Sequence, residues 1–417
     1  MGAVELDVVE ICAGAGGQAL GLERAGFEHS LAVELDGFAC ATLRQNRPAW
    51  KVAEGDVADV AVWDPRDYQG VDLLAGGVPC PPFSVAGRQL GAQDERDLFA
   101  WAVETAAVVQ PRALLLENVR GLSEPRFAAY RQHVLDRLAS CGYQGEWRLL
   151  QASDYGVPQL RPRFVLVAMR PDDLRHFHWP EPEPVGLTVG EVLEDLMGER
   201  GWPHVKDWVA KAAQIAPTIV GGSKKHGGAD LGPTRAKKAW RALGVDGMGI
   251  ANQAPGPEDP PPAVFAPKLT VPMVARLQGW DDDWGWTFAG RKTAQYRQIG
   301  NAFPPPVAEA VGRSIRLALE RESAARDTQD DPAHDALYVA LRDAAGPMTL
   351  AQLSLAVPGT DPAHVQRRLR HLALDFEITE LTGSDETAYM LGDFKAFVGQ
   401  SEHARHDYML KHRSRVS

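Results

Sequence analysis

The chain has 417 residues, 45% of them hydrophobic and 24% charged, an ordinary globular balance with length for two domains or one domain carrying a large insertion. Its formal net charge of -11 argues mildly against a nucleic-acid partner. No apolar run approaches the ~18 residues of a membrane span and the Met1-Gly2-Ala3-Val4-Glu5 start lacks a basic leader, so a cytoplasmic, non-membrane protein is expected. From residue 5 to about 170, short apolar runs alternate with helical patterns. Leu6 to Ile11 reads as a strand, a helix begins over Ala19 to Ala25, Ser30 to Val33 is a second strand ending at Glu34, and Ala39 to Asn46 is helical. Val71 to Ala75 and Ala113 to Leu116 are further apolar strands, with a helical pattern over Leu98 to Val109 between them. Strands separated by helices predict an α/β fold with a parallel, doubly wound sheet. Trp147 to Ala152 and Arg163 to Met169 read as late strands, a hairpin at the sheet edge.

From about Pro171 the character changes: Pro, Gly, Trp and Lys become frequent and periodicity weakens until about Pro267. Nine Lys/Arg stand against two Asp from Arg200 to Arg241, the basic footprint a phosphate backbone would select. Order resumes at Leu269, and a long helix is expected from about Val307 to Ser323. Arg326 to Pro332 reads as a polar linker. Beyond it, three helical patterns (His334 to Ala344, Leu350 to Val357, Ala363 to Asp375) and two strands around Gly383-Ser384-Asp385 resemble a winged helix-turn-helix domain. The expected division is 1–170 catalytic, 171–267 inserted, 268–325 returning to the catalytic unit, and 333–397 winged-helix-like.

Two constellations carry chemistry. Cys12-Ala13-Gly14-Ala15-Gly16-Gly17 follows the first strand and opens a helix, and its glycines permit a tight turn and close backbone approach to a ligand. Glu34 ends the second strand, where an acid typically binds ribose hydroxyls, and Asp56 is placed to accept from an adenine amino group. A nicotinamide-binding Rossmann domain shares these features, so the loop alone leaves the nucleotide open. The second constellation is Gly76-Gly77-Val78-Pro79-Cys80-Pro81-Pro82-Phe83-Ser84, followed by Glu117-Asn118-Val119. Cys80 and Glu117 each follow an apolar strand, which in an open α/β sheet puts both at the carboxyl edge, where ligands bind. A thiol nucleophile beside a carboxylate that handles protons is a covalent-catalysis pair. Cys12, Cys40, Cys80 and Cys141 show no Cys-x-x-Cys spacing and no His partner, so neither a metal site nor a disulfide framework is expected.

Six ordered motifs over some 300 residues resemble the DNA (cytosine-5)-methyltransferases. They are the Glu10 to Gly17 loop, Val33-Glu34-Leu35-Asp36 with Gly55-Asp56, Gly76 to Ser84 with Asp97-Leu98-Phe99 downstream, Glu117-Asn118-Val119, Gln159-Leu160-Arg161-Pro162-Arg163, and Arg297-Gln298-Ile299-Gly300-Asn301-Ala302. The resemblance implies a Rossmann-like S-adenosylmethionine-dependent methyltransferase fold with a small inserted target-recognition domain; the C-terminal winged-helix-like domain lies outside the core family pattern. It implies S-adenosyl-L-methionine as cofactor and S-adenosyl-L-homocysteine as product. Cys12, Ala13, Gly14, Gly16, Gly17, Glu34, Leu35, Asp56, Val57, Pro79, Leu98, Asn301 and Ala302 are the expected contacts. Cys80 would add to carbon 6 of a flipped cytosine, Glu117 would hold ring nitrogen 3 and the exocyclic amine, and Arg161 and Arg163 would bind the base oxygen and nearby anionic groups. Two departures stand out: Cys12 replaces the family's usual Phe, and Pro81 replaces the usual Gln after the nucleophile.

In this family the variable segment reads duplex DNA, so Ser84, Lys224, Lys225, Arg235, Lys237, Lys238 and Arg241 are the expected DNA contacts. Arg235 or Arg241 is placed to reach a guanine edge. Gln366, Arg367, Arg368, Arg370 and His371 mark a recognition helix in the tail, for DNA or for a protein partner. The expected setting is a prokaryotic, nucleoid-associated enzyme of restriction-modification or epigenetic marking, with a cognate endonuclease as a candidate partner. An RNA cytosine-5 methyltransferase and a catalytically silent DNA-binding regulator are the alternatives.

Overall fold

The computed structural model of the chain describes residues 5–78, 96–183, 186–221, 229–327, 334–357, 361–382 and 386–394. A seven-stranded sheet lies at its centre. The strands are β1 (Leu6–Ile11), β2 (Phe27–Glu34), β3 (Val52–Glu54), β4 (Leu73–Gly76), β5 (Ala113–Val119), β6 (Gln144–Gln151) and, after the two-residue β7 (Gln159–Leu160), β8 (Pro162–Met169). Their order is β3-β2-β1-β4-β5-β8-β6. The first five are parallel, and β8 is antiparallel to both β5 and β6. The sheet is therefore mixed, parallel through β5 and antiparallel in the late pair. The late strands do form a hairpin, but the second of them enters beside β5 and the first takes the edge. The short link between them cannot supply the crossover of about a dozen or more residues that parallel neighbours need.

Helices α1 (Gly17–Arg24), α2 (Gly37–Asn46), α3 (Arg96–Val109) and α4 (Ala128–Ser140) alternate with these strands. Strand periodicity sorts β1 between two cores. Val9 and Ile11 pack with the apolar residues of α3 and α4, whereas Leu6 and Val8 pack with α1 and with a helix from much later in the chain. That helix is the last of the series α5 (Pro171–Leu174), α6 (Val189–Gly198), α7 (Val205–Lys211), α8 (Thr234–Ala242), α9 (Val271–Leu277), α10 (Lys292–Asn301) and α11 (Pro305–Leu319). So the return segment closes over the first helix of the chain, and the insertion lies between them in sequence.

The insertion is better ordered than its weak periodicity predicts. Trp202, Trp208 and Trp240 are at most 2% exposed and share a core with Leu193, Leu231, Leu269 and Leu277. Its described helices have only four to ten residues, too short for a clear 3.6-residue stripe. One signal is local: Thr188 and Glu191 form a capping box at the start of α6, each satisfying the other's backbone N–H. A two-residue strand β9 (Ala216–Pro217) pairs in parallel with β7, tying the insertion to the segment that precedes β8.

The C-terminal unit runs α12 (Ala336–Asp343), β10 (Met348–Thr349), α13 (Leu350–Ala356), α14 (Pro362–Asp375), β11 (Phe376–Thr382) and β12 (Thr387–Phe394). Its sheet is antiparallel, in the order β10-β12-β11, and includes a first strand that the sequence reading missed. It docks on α4. The His133 ring lies 4.5 Å from Phe394 and 5.3 Å from Phe376, and Arg342 pairs with Asp136 at 2.7 Å. Burial pushes the His133 imidazole down to about 4, so it packs there as a neutral ring.

Candidate active site

The carboxyl ends of β1 to β5 meet at one edge of the sheet, and the loop after β1 is shaped by left-handed residues. Cys12, Gly14 and Gly16 have φ of 52°, 57° and 87°. The non-glycine at φ 52° is strained, and such residues concentrate at functional loops. Glu34 clamps the loop: Oε2 accepts the Gly14 N–H at 2.8 Å and Oε1 accepts the Asp36 N–H at 2.7 Å. Burial raises the Glu34 carboxyl above its ordinary value, with those N–H groups opposing the rise.

The glycines divide their work differently from expectation. A Cβ on Gly14 would meet nothing within 4 Å, so this is the glycine that leaves room for a ligand. A Cβ on Gly16 would lie 2.5 Å from the Trp286 ring and 2.9 Å from Leu43, and Gly16 does not line the cavity. Its assignment as a cofactor contact is corrected: it lets the loop pack under Trp286, whose Nε1 donates to Ala15 O at 3.1 Å. A Cβ on Gly17 would collide with the Phe303 carbonyl, so Gly17 admits the return segment as well as bordering the cavity.

That cavity is about 410 Å³ and is bounded by the loop, the ends of β2 to β5, α3 and the α10 terminus. Cys12, Ala13, Gly14, Gly17, Glu34, Leu35, Asp56, Val57, Leu98, Asn301 and Ala302 all border it. So do Glu10, Gln18, Arg297, Gln298 and Phe303, which the motif reading did not assign to the cofactor. The lining fits an adenosyl ligand: acids lie where β2 and β3 end, apolar Val57 and Leu98 are buried beside them, and the Gln18 amide is buried without a hydrogen-bond partner among the described residues.

At the other end of the cavity stands Glu117, inside β5 rather than after it and 7% exposed. Arg163 faces it from the start of β8, with Nε 2.5 Å from Glu117 Oε1 in a charge contact that is not an aligned hydrogen bond. Burial raises the Glu117 carboxyl, and Arg163 and Arg161 offset part of that. Asn118 has a role that its place in the Glu-Asn-Val motif only hinted at: its Nδ2 donates to Val78 O at 3.2 Å, anchoring the strand exit two residues before Cys80.

Arg161 does something else. It is 1% exposed and donates Nη1 to Ile219 O at 2.7 Å and Nη2 to Gly300 O and Ala302 O at 2.7 and 3.0 Å. Its expected contact with the base is corrected: the fork is occupied by carbonyls of the insertion and of the closing motif. Gln159 works beside it, accepting the Ile219 N–H at 2.9 Å and donating to Leu277 O at 3.0 Å. The two side chains fasten the inserted and returning segments to the sheet. Gly300 and Gly221 cross at that junction with no room for a Cβ on either, and the Asn301 side chain lies against Gly221.

Of the expected DNA contacts, Arg235, Lys238 and Arg241 are exposed at three-residue spacing along α8. Lys237 is corrected: its Nζ pairs with Asp230 at 2.7 Å, which satisfies the cation within the insertion. Pro79, Cys80, Pro81, Ser84, Lys224 and Lys225 lie outside the described residues. Among the described residues no helix is long and apolar enough to cross a membrane.

Comparisons with known proteins agree with this geometry. The family model described as C-5 cytosine-specific DNA methylase matches residues 6–317. The chain is similar to the Type II methyltransferase M.NaeI of Lentzea aerocolonigenes, 60% identical over 413 residues that cover 99% of each protein. It is also similar to the Type II methyltransferase M.NgoMIV of Neisseria gonorrhoeae, 52% identical over 321 residues, which are 76% of this chain and 98% of that protein. A structure of DNMT2 from Spodoptera frugiperda matches with a TM-score of 0.53 at 16% identity, over 76% of this chain and 100% of that one, a likeness of fold. With a family model spanning most of its length and a relative at 60% identity along nearly all of it, the chain belongs to the C-5 cytosine-specific DNA methylase family.

Proposed function

We propose that this chain methylates carbon 5 of cytosine within a specific duplex DNA sequence, as the modification enzyme of a restriction-modification system. The observation that carries the reading is the buried Glu117–Arg163 pair at one end of a cavity whose other end is the Glu34-clamped loop. Relatives named as Type II methyltransferases at 60% and 52% identity support the setting.

S-adenosyl-L-methionine, held by the 12–17 loop, Glu34, Asp56, Val57, Leu98 and Asn301, supplies the methyl group as a sulfonium electrophile. Cytosine carbon 5 is a poor nucleophile, so the residues must raise its electron density. The Cys80 thiolate adds to carbon 6 of a base swung out of the helix, and the carbon 5–carbon 6 π electrons become available at carbon 5. Glu117, whose carboxyl burial raises above its ordinary value, engages ring nitrogen 3 and the exocyclic amine, stabilising charge as it develops. Arg163 holds Glu117 in place and turns its remaining N–H groups toward the base oxygen. After the methyl group is in place a base removes the carbon 5 proton, and the electron pair restores the double bond as Cys80 leaves.

Arg235, Lys238 and Arg241 neutralise phosphates, within a target-recognition segment of residues 171–267. The C-terminal unit, proposed as a winged-helix module, presents Gln366, Arg367, Arg370 and His371 on the exposed side of α14, toward flanking DNA or a protein partner. Arg368 is held by Asp335 at 2.6 Å and takes no part in that face. The test is transfer of tritium from labelled S-adenosylmethionine to duplex DNA, to tRNA, and to DNA with Cys80→Ala. Label in duplex DNA that Cys80→Ala abolishes supports the reading. Label in tRNA alone selects the RNA alternative, and no label in either rejects catalysis.

A further inference from the structure

Gln18 is the second residue of α1, it borders the cavity, and it is 3% exposed. Neither its Oε1 nor its Nε2 has a hydrogen-bond partner among the described residues. A buried primary amide with no partner is rare, because both its donors and its acceptor lose water without compensation. Its position is defined by Gly77: a Cβ there would lie 3.5 Å from Glu117 Oε2, 3.8 Å from Cys12 O and 3.9 Å from Gln18 Oε1. The amide therefore sits between the loop and the catalytic carboxylate.

Two neighbours indicate what kind of group it awaits. Helix α1 has eight residues and begins at Gly17, with no side-chain cap from Gly16, so its first-turn N–H groups and the positive end of its dipole favour an anion. Glu10, wholly buried, borders the same cavity. One of its oxygens takes His29 Nε2 at 3.1 Å and the other, Oε1, has no hydrogen-bond partner among the described residues. Donors for an anion beside an acceptor for a cation form a receptor for the α-carboxylate and α-ammonium of an amino acid.

We propose that Gln18 binds the amino-acid end of the methyl donor, its Nε2 donating to the α-carboxylate at the start of α1. The assignment rests on the reading of this cavity as the S-adenosylmethionine site. The test is calorimetric titration of the full chain with two ligands: S-adenosylhomocysteine, and 5′-methylthioadenosine, which keeps the adenosyl thioether and lacks the amino acid. Gln18→Leu, which matches the side chain in size without its polar atoms, should weaken S-adenosylhomocysteine about tenfold, roughly 1.4 kcal/mol, and leave 5′-methylthioadenosine unchanged. The thermal midpoint of the ligand-free variant should rise, because an orphan amide is removed from the core. Gln18→Glu, which sets a carboxylate against the ligand's own, should weaken S-adenosylhomocysteine further and again spare 5′-methylthioadenosine. The proposal is overturned if either variant weakens both ligands alike, if S-adenosylhomocysteine binding is unchanged, or if the Gln18→Leu midpoint falls. A wild-type chain that binds neither ligand overturns the cofactor reading and this assignment together.

Discussion

Replacing Arg161 with Met should unfold the junction between the sheet, the insertion and the return segment before it touches the chemistry. The guanidinium satisfies three carbonyls, Ile219 O, Gly300 O and Ala302 O, at 2.7 to 3.0 Å. Ile219 O and Gly300 O lose this donor in the variant, at ~1–3 kcal/mol each for a buried acceptor that water cannot reach, whereas Ala302 O keeps Gln278 Nε2 at 2.9 Å. Against that, the cation no longer has to be desolvated, and Arg161 is the more uncomfortable of the two arginines: burial pulls it well below its ordinary value and Arg163 adds to the effect. The net loss expected is about 2–4 kcal/mol, two orphaned acceptors less the relieved desolvation of the cation. Arg161→Lys keeps the charge but lacks the planar fork that spans two segments, so it should lose about half as much. Urea unfolding of both variants, followed by tryptophan fluorescence, measures this directly through Trp202, Trp208 and Trp240 of the attached core. Arg163→Met is the control, because Arg163 pairs with Glu117 and its loss should fall on turnover more than on stability. An Arg161→Met chain as stable as the wild type but inactive would refute the division of labour and return Arg161 to the base pocket.

Three further outcomes follow from the same geometry. Burial raises Glu117, so the folded state holds its proton more tightly than the unfolded chain does. The stability this group contributes is full below the ordinary carboxylate value and is lost as pH rises through the folded value. The methyl-transfer rate should fall as pH rises through that folded value and the carboxyl O–H that donates to ring nitrogen 3 is lost, and Glu117→Gln should be slow but without that limb in a single-turnover pH profile. Lys238→Ala and Arg241→Ala should each reduce the slope of log affinity for DNA against log salt by about 1, whereas Lys237→Ala, which breaks a pair with Asp230, should leave the slope unchanged; equal slopes for all three would remove α8 from the interface. Gly17→Ala should destabilise the chain by ~1–3 kcal/mol through overpacking against the Phe303 carbonyl, seen as a lower thermal midpoint, while Gly14→Ala, with open space but a left-handed φ, should lose less.

The nucleotide-binding half was legible because its signals are local. A strand, a glycine turn and an acid at the end of the next strand each leave a short pattern, and β1 was read with its observed bounds. The order of β6 and β8 was legible but not read: the apolar run Phe164 to Met169 marks an inner strand, and the polar Gln144–Gln151 marks the edge. The insertion was read as poorly ordered because its helices are short and its core is built from scattered tryptophans joined to the distant residues Leu269 and Leu277. Arg161 and Lys237 were misassigned for a shared reason. A cation in a motif or a basic run carries no mark of whether its partner is a ligand or the protein's own carbonyl or carboxylate. Gln18 was passed over because an amide in a helix's first turn is unremarkable until its burial and lack of partners are known.

Covalent trapping tests the central claim, that Cys80 and Glu117 act on a flipped cytosine as one unit. Duplex DNA carrying 5-fluorocytosine cannot release the carbon 5 substituent as a proton, so the addition product persists. With S-adenosylmethionine present, the wild-type chain should form an adduct that survives denaturation, Cys80→Ala should form none, and Glu117→Gln should form it far more slowly. An adduct that persists in Cys80→Ala, or one whose rate ignores Glu117, would contradict the account.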